Sequence, residues 1–344
     1  MKFLSSGTVG TFATMSLMFM FGAVISYVFQ YSRVIRATSF SEFIKFAFPM
    51  KRILSKSSLM DVLYYIVTKL YEKLSGGIFA AIELAGAYFV ARFVDQILPS
   101  HPHFVFGGLE IVIISLAIFI VSDFSMFISH YLQHFVPVLW ELHKVHHSAT
   151  FMTPITTKRV HPLGQAFDDV VAAIILCIPI GLLQSFGRLT FLEVALLLAN
   201  AQFIGMIVVL DALRHSHFPI SYGKLNGVIL SPVMHQLHHS YKVEHWDRNF
   251  GNKLAIWDVA FRTIVYPKAG EDVPWGLGKP EQEEYNSLYG AYLGPLEKIF
   301  RLVVNRPRKS AEPAHGTFFE RVVWRSPKGT LPGPEAGAKP HARP

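Results

Sequence analysis

The hexapeptide HKVHHS occupies residues 143–148, and HQLHHS occupies residues 235–240. Each has histidine at its first, fourth and fifth positions. Twelve of the 16 histidines of the chain lie between His130 and His245. A histidine motif that occurs twice in a mostly apolar chain predicts a fold that brings the two copies together, because imidazoles grouped in this way are metal ligands.

The composition is that of a membrane protein. Hydrophobic residues make up 51% of the 344 residues, and charged residues only 16%. The mean hydropathy is +0.34. The one cysteine, Cys177, lies in an apolar run, which excludes a disulfide framework and a thiolate metal site. The net charge is +8, but the basic residues fall in loops, which favours an orienting role in a membrane over a nucleic-acid partner.

Five apolar segments approach the roughly 20 residues that a membrane-spanning helix requires. They cover about residues 9–31, 77–98, 104–127, 168–186 and 189–210. The first segment also resembles a signal peptide, but its length and the lack of an A-x-A cleavage site favour a retained span. We therefore expect an all-α, multi-pass transmembrane helical bundle with a cytoplasmic, histidine-rich helical cap.

The loop between the first two spans is basic. Its cationic residues are Arg33, Arg36, Lys45, Lys51, Arg52, Lys56, Lys69 and Lys73. The positive-inside rule therefore makes this loop cytoplasmic and puts the N-terminus outside. Counting the spans onward, both hexapeptides and the C-terminus are cytoplasmic. We expect the plasma (inner) membrane if the protein is bacterial and the endoplasmic reticulum if it is eukaryotic.

One stretch of the basic loop has an amphipathic pattern. Between Asp61 and Lys73, apolar residues fall on one side of a helix: Leu63, Ile66, Val67 and Leu70. We expect this stretch to lie along the membrane interface as a separate helix.

The chain divides into four regions. Residues 1–100 form an N-terminal membrane region, and residues 101–268 carry the last three spans and the histidine motifs. Residues 269–305 are of mixed polarity, and we expect them to be interfacial. Residues 306–344 are rich in proline, glycine and basic residues, which predicts a disordered basic tail.

The histidine spacing predicts metal binding. His130 and His134 are four residues apart and share a helix face. In each H-x-x-H-H sequence the imidazoles fall on an arc of roughly 100°, so each motif is expected to present three nitrogens to one cavity. With His215 these clusters supply nine nitrogens, which is enough for two metals with open positions. The candidate ligands are His130, His134, His143, His146, His147, His215, His235, His238 and His239.

Ligand type alone leaves the metal undecided, because imidazole suits zinc, copper, iron and nickel. An open pair of nitrogen-rich sites favours redox iron over structural zinc, which is closed by four ligands. The alternative is a set of surface histidines at a membrane interface, but the clustering argues against it.

Two carboxylates are candidates for supporting roles. Asp123 precedes His130 by seven residues and returns to the same helical stripe, where it could accept a ligand's N–H. The alternative is a helix-end residue that reaches water. Asp211 precedes His215 by four residues and is expected to be a ligand or an orienting group.

The motifs from Asp123 to about Val265 resemble the fatty acid hydroxylase superfamily of integral-membrane di-iron proteins, which includes the sterol desaturases. The similar stretches are DFSMFISHYLQH, HKVHHS, LRHSHFPI, SPVMHQLHHS and RNFGNKLAIWDVAFRT. The last of these separates the family from acyl-CoA desaturases. Three positions depart from the family pattern: Tyr131 replaces an arginine, Asp211 replaces a second histidine in some relatives, and Arg262 replaces the glycine of a closing FGT.

The resemblance implies that the nine histidines hold two iron ions and that O2 is a co-substrate. It implies hydroxylation or desaturation of a lipid, of sterol or fatty-acyl type, that enters from the bilayer. Aldehyde decarbonylation is another reaction of the family. No catalytic residue beyond the metal ligands is predicted, and the roles of His161, His217 and His245 stay open.

The electrons for this chemistry must come from another protein. The sequence has no HPGG cytochrome b5 motif and no cysteine cluster for an iron–sulfur centre. A separate donor, such as cytochrome b5, a ferredoxin or a reductase, is therefore expected. The alternative function is a membrane metal-binding or transport protein. A transporter would place its ligands near mid-membrane in broken helices, whereas these histidines lie past the ends of the spans.

Overall fold

The computed structural model describes residues 6–28, 39–209, 213–268, 271 and 273–304. Within these ranges the secondary structure is helical, with two isolated β-bridges, Ile229–Leu254 and Ser240–Trp275, and no strand. The all-α prediction is therefore confirmed. Asp211 and the predicted tail at 306–344 lie outside the described residues.

The described helices differ widely in length, and so do the connections between them. In chain order they are α1 (Ser6–Ser26), α2 (Phe40–Ala47), α3 (Met50–Ile53), α4 (Lys56–Ile97), α5 (Gly108–Phe135), α6 (Pro137–His147), α7 (Pro162–Gly187), α8 (Phe191–Val209), α9 (Pro232–His238), α10 (Ile256–Phe261), α11 (Glu281–Glu284), α12 (Leu288–Tyr292) and α13 (Gly294–Val304). Short 3-10 helices cover Pro154–Lys158, Gly223–Gly227 and Val243–His245.

Three of these helices, α4, α5 and α7, are long and apolar enough to cross a membrane. They contain most of the spans expected at 77–98, 104–127 and 168–186. Helices α1 and α8 cover most of the other two expected spans. Their apolar parts within the fully described residues are shorter, Ser16–Ser26 and Leu192–Met206, so their insertion in the membrane stays a prediction.

We expected a separate interfacial helix at 61–73 and a span at 77–98, but α4 covers both as one helix. It runs for 42 residues without interruption, which corresponds to about 63 Å at 1.5 Å per residue. The expected separate helix at 61–73 is its first half. No proline interrupts the stretch, and a Cβ added at Gly76 or Gly77 would meet no atom within 4 Å. Nothing at these glycines therefore forces a break.

The first half of α4 is polar on its buried side. Asp61, Tyr64 and Thr68 are buried, whereas Ile66 and Leu70 are 59% and 56% exposed. The apolar side that we expected to pack at the interface thus faces outward along a continuous helix. Such an outward apolar surface is what a helix presents to lipid.

Helices α4, α5 and α7 form an up-down bundle. Gly181 of α7 lies so close to α4 that an added Cβ would be 2.5 Å from the carbonyl oxygen of Ala87, as is common where small residues let membrane helices approach. At one end of the bundle, the amide of Phe104 donates to the carbonyl of Phe186 at 2.8 Å. At the other, the hydroxyl of Thr68 donates to the carbonyl of Lys158 at 2.9 Å. The histidine-bearing connections lie at this second end.

Candidate metal centre

All nine predicted histidines lie in two compact groups, within each of which one side-chain nitrogen per residue lies within 4.8 Å of the others. We call these the five-histidine group and the four-histidine group. The five-histidine group contains His130, His134, His143, His147 and His238. The four-histidine group contains His146, His215, His235 and His239.

Each hexapeptide contributes to both groups. His143 and His147 lie in the five-histidine group, but His146 lies in the other. At 100° per residue, His147 is about 40° from His143 around the helix, and His146 is about 60° away on the opposite side. The second hexapeptide divides in the same way, since His235 and His239 are separated from His238. The expectation that each motif presents three nitrogens to one cavity is therefore wrong: each presents two nitrogens to one group and one to the other.

Nitrogens within the groups are spaced like neighbouring ligands of one metal. The Nε2 atoms of His215 and His235 are 2.8 Å apart, those of His146 and His215 are 3.0 Å apart, and those of His134 and His147 are 3.1 Å apart. With metal–nitrogen bonds of about 2.1 Å, ligands at right angles lie about 3.0 Å apart. The two groups also adjoin, because the rings of His147 and His239 stack with centroids 4.6 Å apart.

Several imidazole rings are held by a hydrogen bond at Nδ1. The Nδ1–H of His130 donates to the carbonyl of Phe250 at 2.8 Å, and that of His238 donates to the carbonyl of Arg248 at 2.7 Å. These carbonyls fix the proton on Nδ1 and leave a lone pair on Nε2. Both Nε2 atoms are buried without a partner among the described residues. Orphaned acceptors of this kind fit a metal ion.

The four-histidine group is held in the same manner. Nδ1 of His146 lies 3.3 Å from the carbonyl oxygen of Arg159, and Nδ1 of His215 lies 3.0 Å from the hydroxyl of Thr157. Both partners follow the first hexapeptide in the chain. The segment after α6 therefore orients ligands that come from two different parts of the sequence.

Burial keeps these imidazoles neutral. It lowers the pKa of His146 to about 3, with the charges of nearby groups such as His130 and Arg214 adding to the effect. Burial, followed by neighbouring imidazoles and, for some, Arg214, also lowers the pKa of His143, His147, His215, His235, His238 and His239 well below 6.5. The neutral imidazole is the form that binds a metal.

A chain of polar side chains that the sequence did not reveal supports His143. Nδ1 of His143 lies 3.1 Å from Oε1 of Gln133, whose amide nitrogen donates to Asp168 at 2.6 Å. Ser129 also donates to that carboxylate. The sequence contained one signal for this chain. Asp168 is the first residue of a predicted span, where an ionisable residue is costly and usually has a partner.

Asp123 has partners other than the histidines. Its carboxylate accepts hydrogen bonds from the backbone amides of Lys253 and Leu254 and from the indole of Trp257. It therefore fastens α5 to the closing RNFGNKLAIWDVAFRT stretch, because the carboxylate lies where three N–H donors converge. The carboxylate that approaches a ligand is Asp247, whose Oδ1 is 3.6 Å from Nδ1 of His134.

The remaining histidines have other partners. Nδ1 of His161 caps α7 by accepting from the amide of Leu163, and its Nε2 donates to the carbonyl of Tyr292. His217 donates through Nε2 to the carbonyl of Phe46, and His245 pairs with Glu271 at 3.1 Å. None of the three belongs to either histidine group.

The serines that close the two hexapeptides have local roles. The hydroxyl of Ser148 accepts from the guanidinium of the fully buried Arg159, and that of Ser240 accepts from the amide of Lys242. Arg262 adopts φ 59°, ψ 34° at the end of α10. The backbone thus keeps the left-handed conformation that favours glycine, although arginine occupies the position.

Residues 115–263 match the family model described as fatty acid hydroxylase. The matched stretch contains all nine histidines and runs from α5 through α10. This segment is a fatty acid hydroxylase domain. The family predicted from the histidine motifs and the closing stretch is therefore confirmed.

The relatives of this fatty acid hydroxylase domain include lipid hydroxylases. The chain is 27% identical over 220 residues to ornithine lipid hydroxylase OlsE of Rhizobium tropici, covering 63% of this chain and 60% of the relative. It is 26% identical over 168 residues to alkylglycerol monooxygenase of Caenorhabditis elegans (49% and 30%) and 25% identical over 163 residues to that of Xenopus tropicalis (47% and 32%). The chain thus spans 60% or less of each relative. No solved structure matches it.

Proposed function

We propose that this protein is a membrane-bound di-iron monooxygenase that hydroxylates a lipid, with O2 as co-substrate. The observation that carries the proposal is the division of nine histidines into adjacent groups of five and four. Hydroxylation is preferred over desaturation or decarbonylation because the relatives are described as a lipid hydroxylase and as monooxygenases. Their named substrates suggest a polar membrane lipid.

In this proposal the five-histidine group holds one iron and the four-histidine group holds the other. When bound, the irons would supply O2 activation for attack on an unactivated C–H bond. The protein's part is to hold both ions side by side and to keep their ligands neutral and oriented. Carbonyls such as those of Phe250 and Arg248 retain the Nδ1 protons, so Nε2 stays available as the ligand atom.

The protein also keeps bulk water away from the centre. Eight of the nine histidines are buried, and His130 is partly buried. Phe250, fully buried, packs its ring edge-to-face on those of His130 and His134 at 5.7 and 4.9 Å. An apolar wall of this kind would limit unproductive reactions with water.

The lipid would approach from the bilayer. The histidine groups lie at one end of the α4, α5 and α7 bundle, beside the half of α4 whose outward side is apolar. We infer that this end is cytoplasmic, because α4 begins there at Lys56 and is preceded by Lys51 and Arg52. Basic residues are concentrated at the cytoplasmic ends of membrane helices. A cytoplasmic centre would take electrons from a separate donor, such as cytochrome b5, a ferredoxin or a reductase.

The decisive experiment compares membrane lipids from cells that carry the wild-type gene, no gene, or the His146→Ala variant. We expect one lipid to gain 16 mass units only with the wild-type chain, and ¹⁸O2 to label the added oxygen. Purified wild-type protein should contain about two irons per chain. Loosely held zinc or nickel without an oxidised lipid would instead indicate a metal-binding or transport protein.

A further inference from the structure

Trp140 lies on the same side of α6 as two ligands of the five-histidine group. It precedes His143 by three residues and His147 by seven, and residues at these spacings share one face of a helix. His146, six residues after Trp140, falls on another side of the helix. The position of Trp140 in α6 therefore directs its indole to the five-histidine group.

The indole packs against three of the grouped histidines. Its ring centroid lies 4.9 Å from that of His134, 5.3 Å from that of His147 and 6.2 Å from that of His143. All three histidines belong to the five-histidine group. Among the described residues, the indole makes no such ring contact with the four-histidine group. Trp140 thus contacts the ligands of one of the two metal positions.

Trp140 also reaches the protein surface. Its side chain is partly exposed, and Pro137, one turn earlier on α6, is exposed. Phe250, another aromatic residue that packs against the five-histidine group, is fully buried. The ligands themselves are mostly buried. The indole of Trp140 therefore connects buried ligands with solvent, at the end of the bundle that we infer to be cytoplasmic.

A fixed cation holds the indole in place. Nζ of Lys144 lies 6.0 Å from the centroid of the Trp140 ring, within the range of a cation–π interaction. The same ammonium pairs with Glu141 and with Glu281, each at 2.8 Å. Because two carboxylates position Lys144, the ring beneath it is held in one orientation.

The proposed hydroxylation needs a route for electrons into the buried centre. A C–H bond, O2, two electrons and two protons give an alcohol and one water. The sequence has no HPGG cytochrome b5 motif and no cysteine cluster for an iron–sulfur centre, so the electrons come from a separate donor. Electron transfer slows steeply with distance through protein. The favoured route is therefore one where a single side chain joins the surface to the ligands.

We propose that Trp140 is the point at which electrons enter the metal centre. A one-electron carrier protein, with a haem or an iron–sulfur centre, docks over the exposed part of the indole. Its centre loses one electron and the iron of the five-histidine group gains it, while the indole bridges the two and is unchanged. A second electron follows, and one of the two passes on through the stacked rings of His147 and His239 to the other iron. The proposal rests on the proposed function, since it takes the bound metal to be iron.

The test delivers electrons from two defined places on the iron-loaded, full-length protein, in detergent and without oxygen. A ruthenium photosensitiser is attached to one introduced cysteine in a Cys177→Ser background. The label is placed at Pro137→Cys, beside Trp140, or at Tyr241→Cys, an exposed position two residues after His239. After a flash, an amine in solution gives the excited label one electron, and the label passes it to ferric iron. Absorbance gives the rate of iron reduction.

We expect Trp140→Leu to slow iron reduction severalfold from the label at 137, because the bridging ring is lost, and to leave the rate from the label at 241 unchanged. Trp140→Phe keeps a smaller ring and should show the same selective slowing to a lesser extent, which provides a second variant if the leucine variant does not fold. Phe250→Leu is the matched control. It removes a buried ring from the same ligands and should not slow the label at 137 selectively.

Two results would overturn the proposal. Equal slowing from both labels in the Trp140 variants would show that Trp140 only packs against the ligands, because a change in iron content or reduction potential affects both rates alike. Unchanged rates from both labels would show that electrons enter elsewhere.

Failure of this proposal can be told apart from failure of the proposed function. Iron reduction is measured without oxygen or lipid, so a chain that never hydroxylates a lipid can still show selective slowing. That outcome would remove the oxygenase and retain the electron route. Lipid hydroxylation by the wild-type chain, with no selective slowing in Trp140→Leu, would remove the electron route alone.

Discussion

Nη1 of Arg159 lies 2.9 Å from Oδ1 of Asp61, and both side chains are only 1% exposed. The same guanidinium donates to the carbonyls of Val145 and Ser148 at the end of α6, and the carbonyl of Arg159 accepts from His146. One buried ion pair thus joins α4 to the helix that carries the first hexapeptide. The fold and the metal centre share this contact.

Asp61→Asn should destabilise the protein by about 3–5 kcal/mol, because it leaves the guanidinium of Arg159 buried without its counter-charge. Thermal unfolding of the purified protein in detergent measures this effect. The control is Glu42→Gln, which breaks an exposed pair with Lys45 and should change stability by less than about 0.5 kcal/mol. Equal effects of the two variants would show that burial of the Arg159–Asp61 pair has no energetic consequence.

Histidine variants should reveal the division into two groups. Removing His146 and His215 together strips two ligands from the four-histidine group and should leave about one iron per chain. Removing His146 and His238 takes one ligand from each group and should lower the retention of both irons. Iron content after gel filtration distinguishes the two patterns, with the exposed His103→Ala as control. Identical iron content in the two double variants contradicts the division.

Gln133→Leu should weaken iron binding in the five-histidine group by about 10–100-fold, because His143 loses the acceptor that orients its ring. Competition with a chelator measures the affinity. Gln165→Leu is the matched control, since Gln165 donates to Asp169 instead of contacting a grouped histidine. If the two leucine variants hold iron equally well, the Asp168–Gln133–His143 chain has no orienting role.

The metal-free protein should lose stability in acid. Burial lowers the pKa of His146 from 6.5 to about 3, so between these values the unfolded chain binds a proton that the folded chain does not. Stability therefore falls as the pH drops below about 6.5, by up to about 1.4 kcal/mol per pH unit for each such histidine. Thermal midpoints of metal-free protein from pH 8 to pH 5 measure this slope, which His146→Ala should reduce. A flat profile would be incompatible with neutral buried imidazoles.

Arg262→Gly should stabilise the protein by about 1 kcal/mol, because arginine at φ 59° has a Cβ in a conformation that favours glycine. Arg262→Ala is the matched control. It also removes the long side chain but keeps the Cβ, so it should bring no such gain. Thermal unfolding of both variants measures the difference, and equal stability of the two would locate the effect in the side chain instead of the backbone.

Much of the molecule was predictable from local patterns. Long apolar segments require helices, because a backbone in lipid must satisfy its own hydrogen bonds, and α4, α5 and α7 follow that rule. The spacing of His130 and His134 and the repeated hexapeptide identified eight of the nine grouped histidines, and the LRHSHFPI stretch identified the ninth, His215. The family also followed from these motifs and the closing stretch. These features are local because each depends on residues within one helix or one short segment.

The partners of those residues were not predictable from local patterns. Asp123 shares a helical stripe with His130, yet its carboxylate binds the closing stretch, and the support of His143 comes from Gln133 and Asp168 instead. Likewise, Asp61 appeared to belong to an interfacial helix, but it is buried against Arg159. Such contacts join residues far apart in the chain, and their choice depends on which helix faces pack together.

The sequence by itself determined which residues could bind metal, because ligand chemistry and helical periodicity are properties of a few neighbouring residues. Only the tertiary structure decided how the ligands are shared. Helical periodicity separates His146 from His143 and His147, but the sequence does not say which imidazoles of the other hexapeptide each will meet. The tertiary packing groups His146 with His235 and His239, and His238 with His143 and His147.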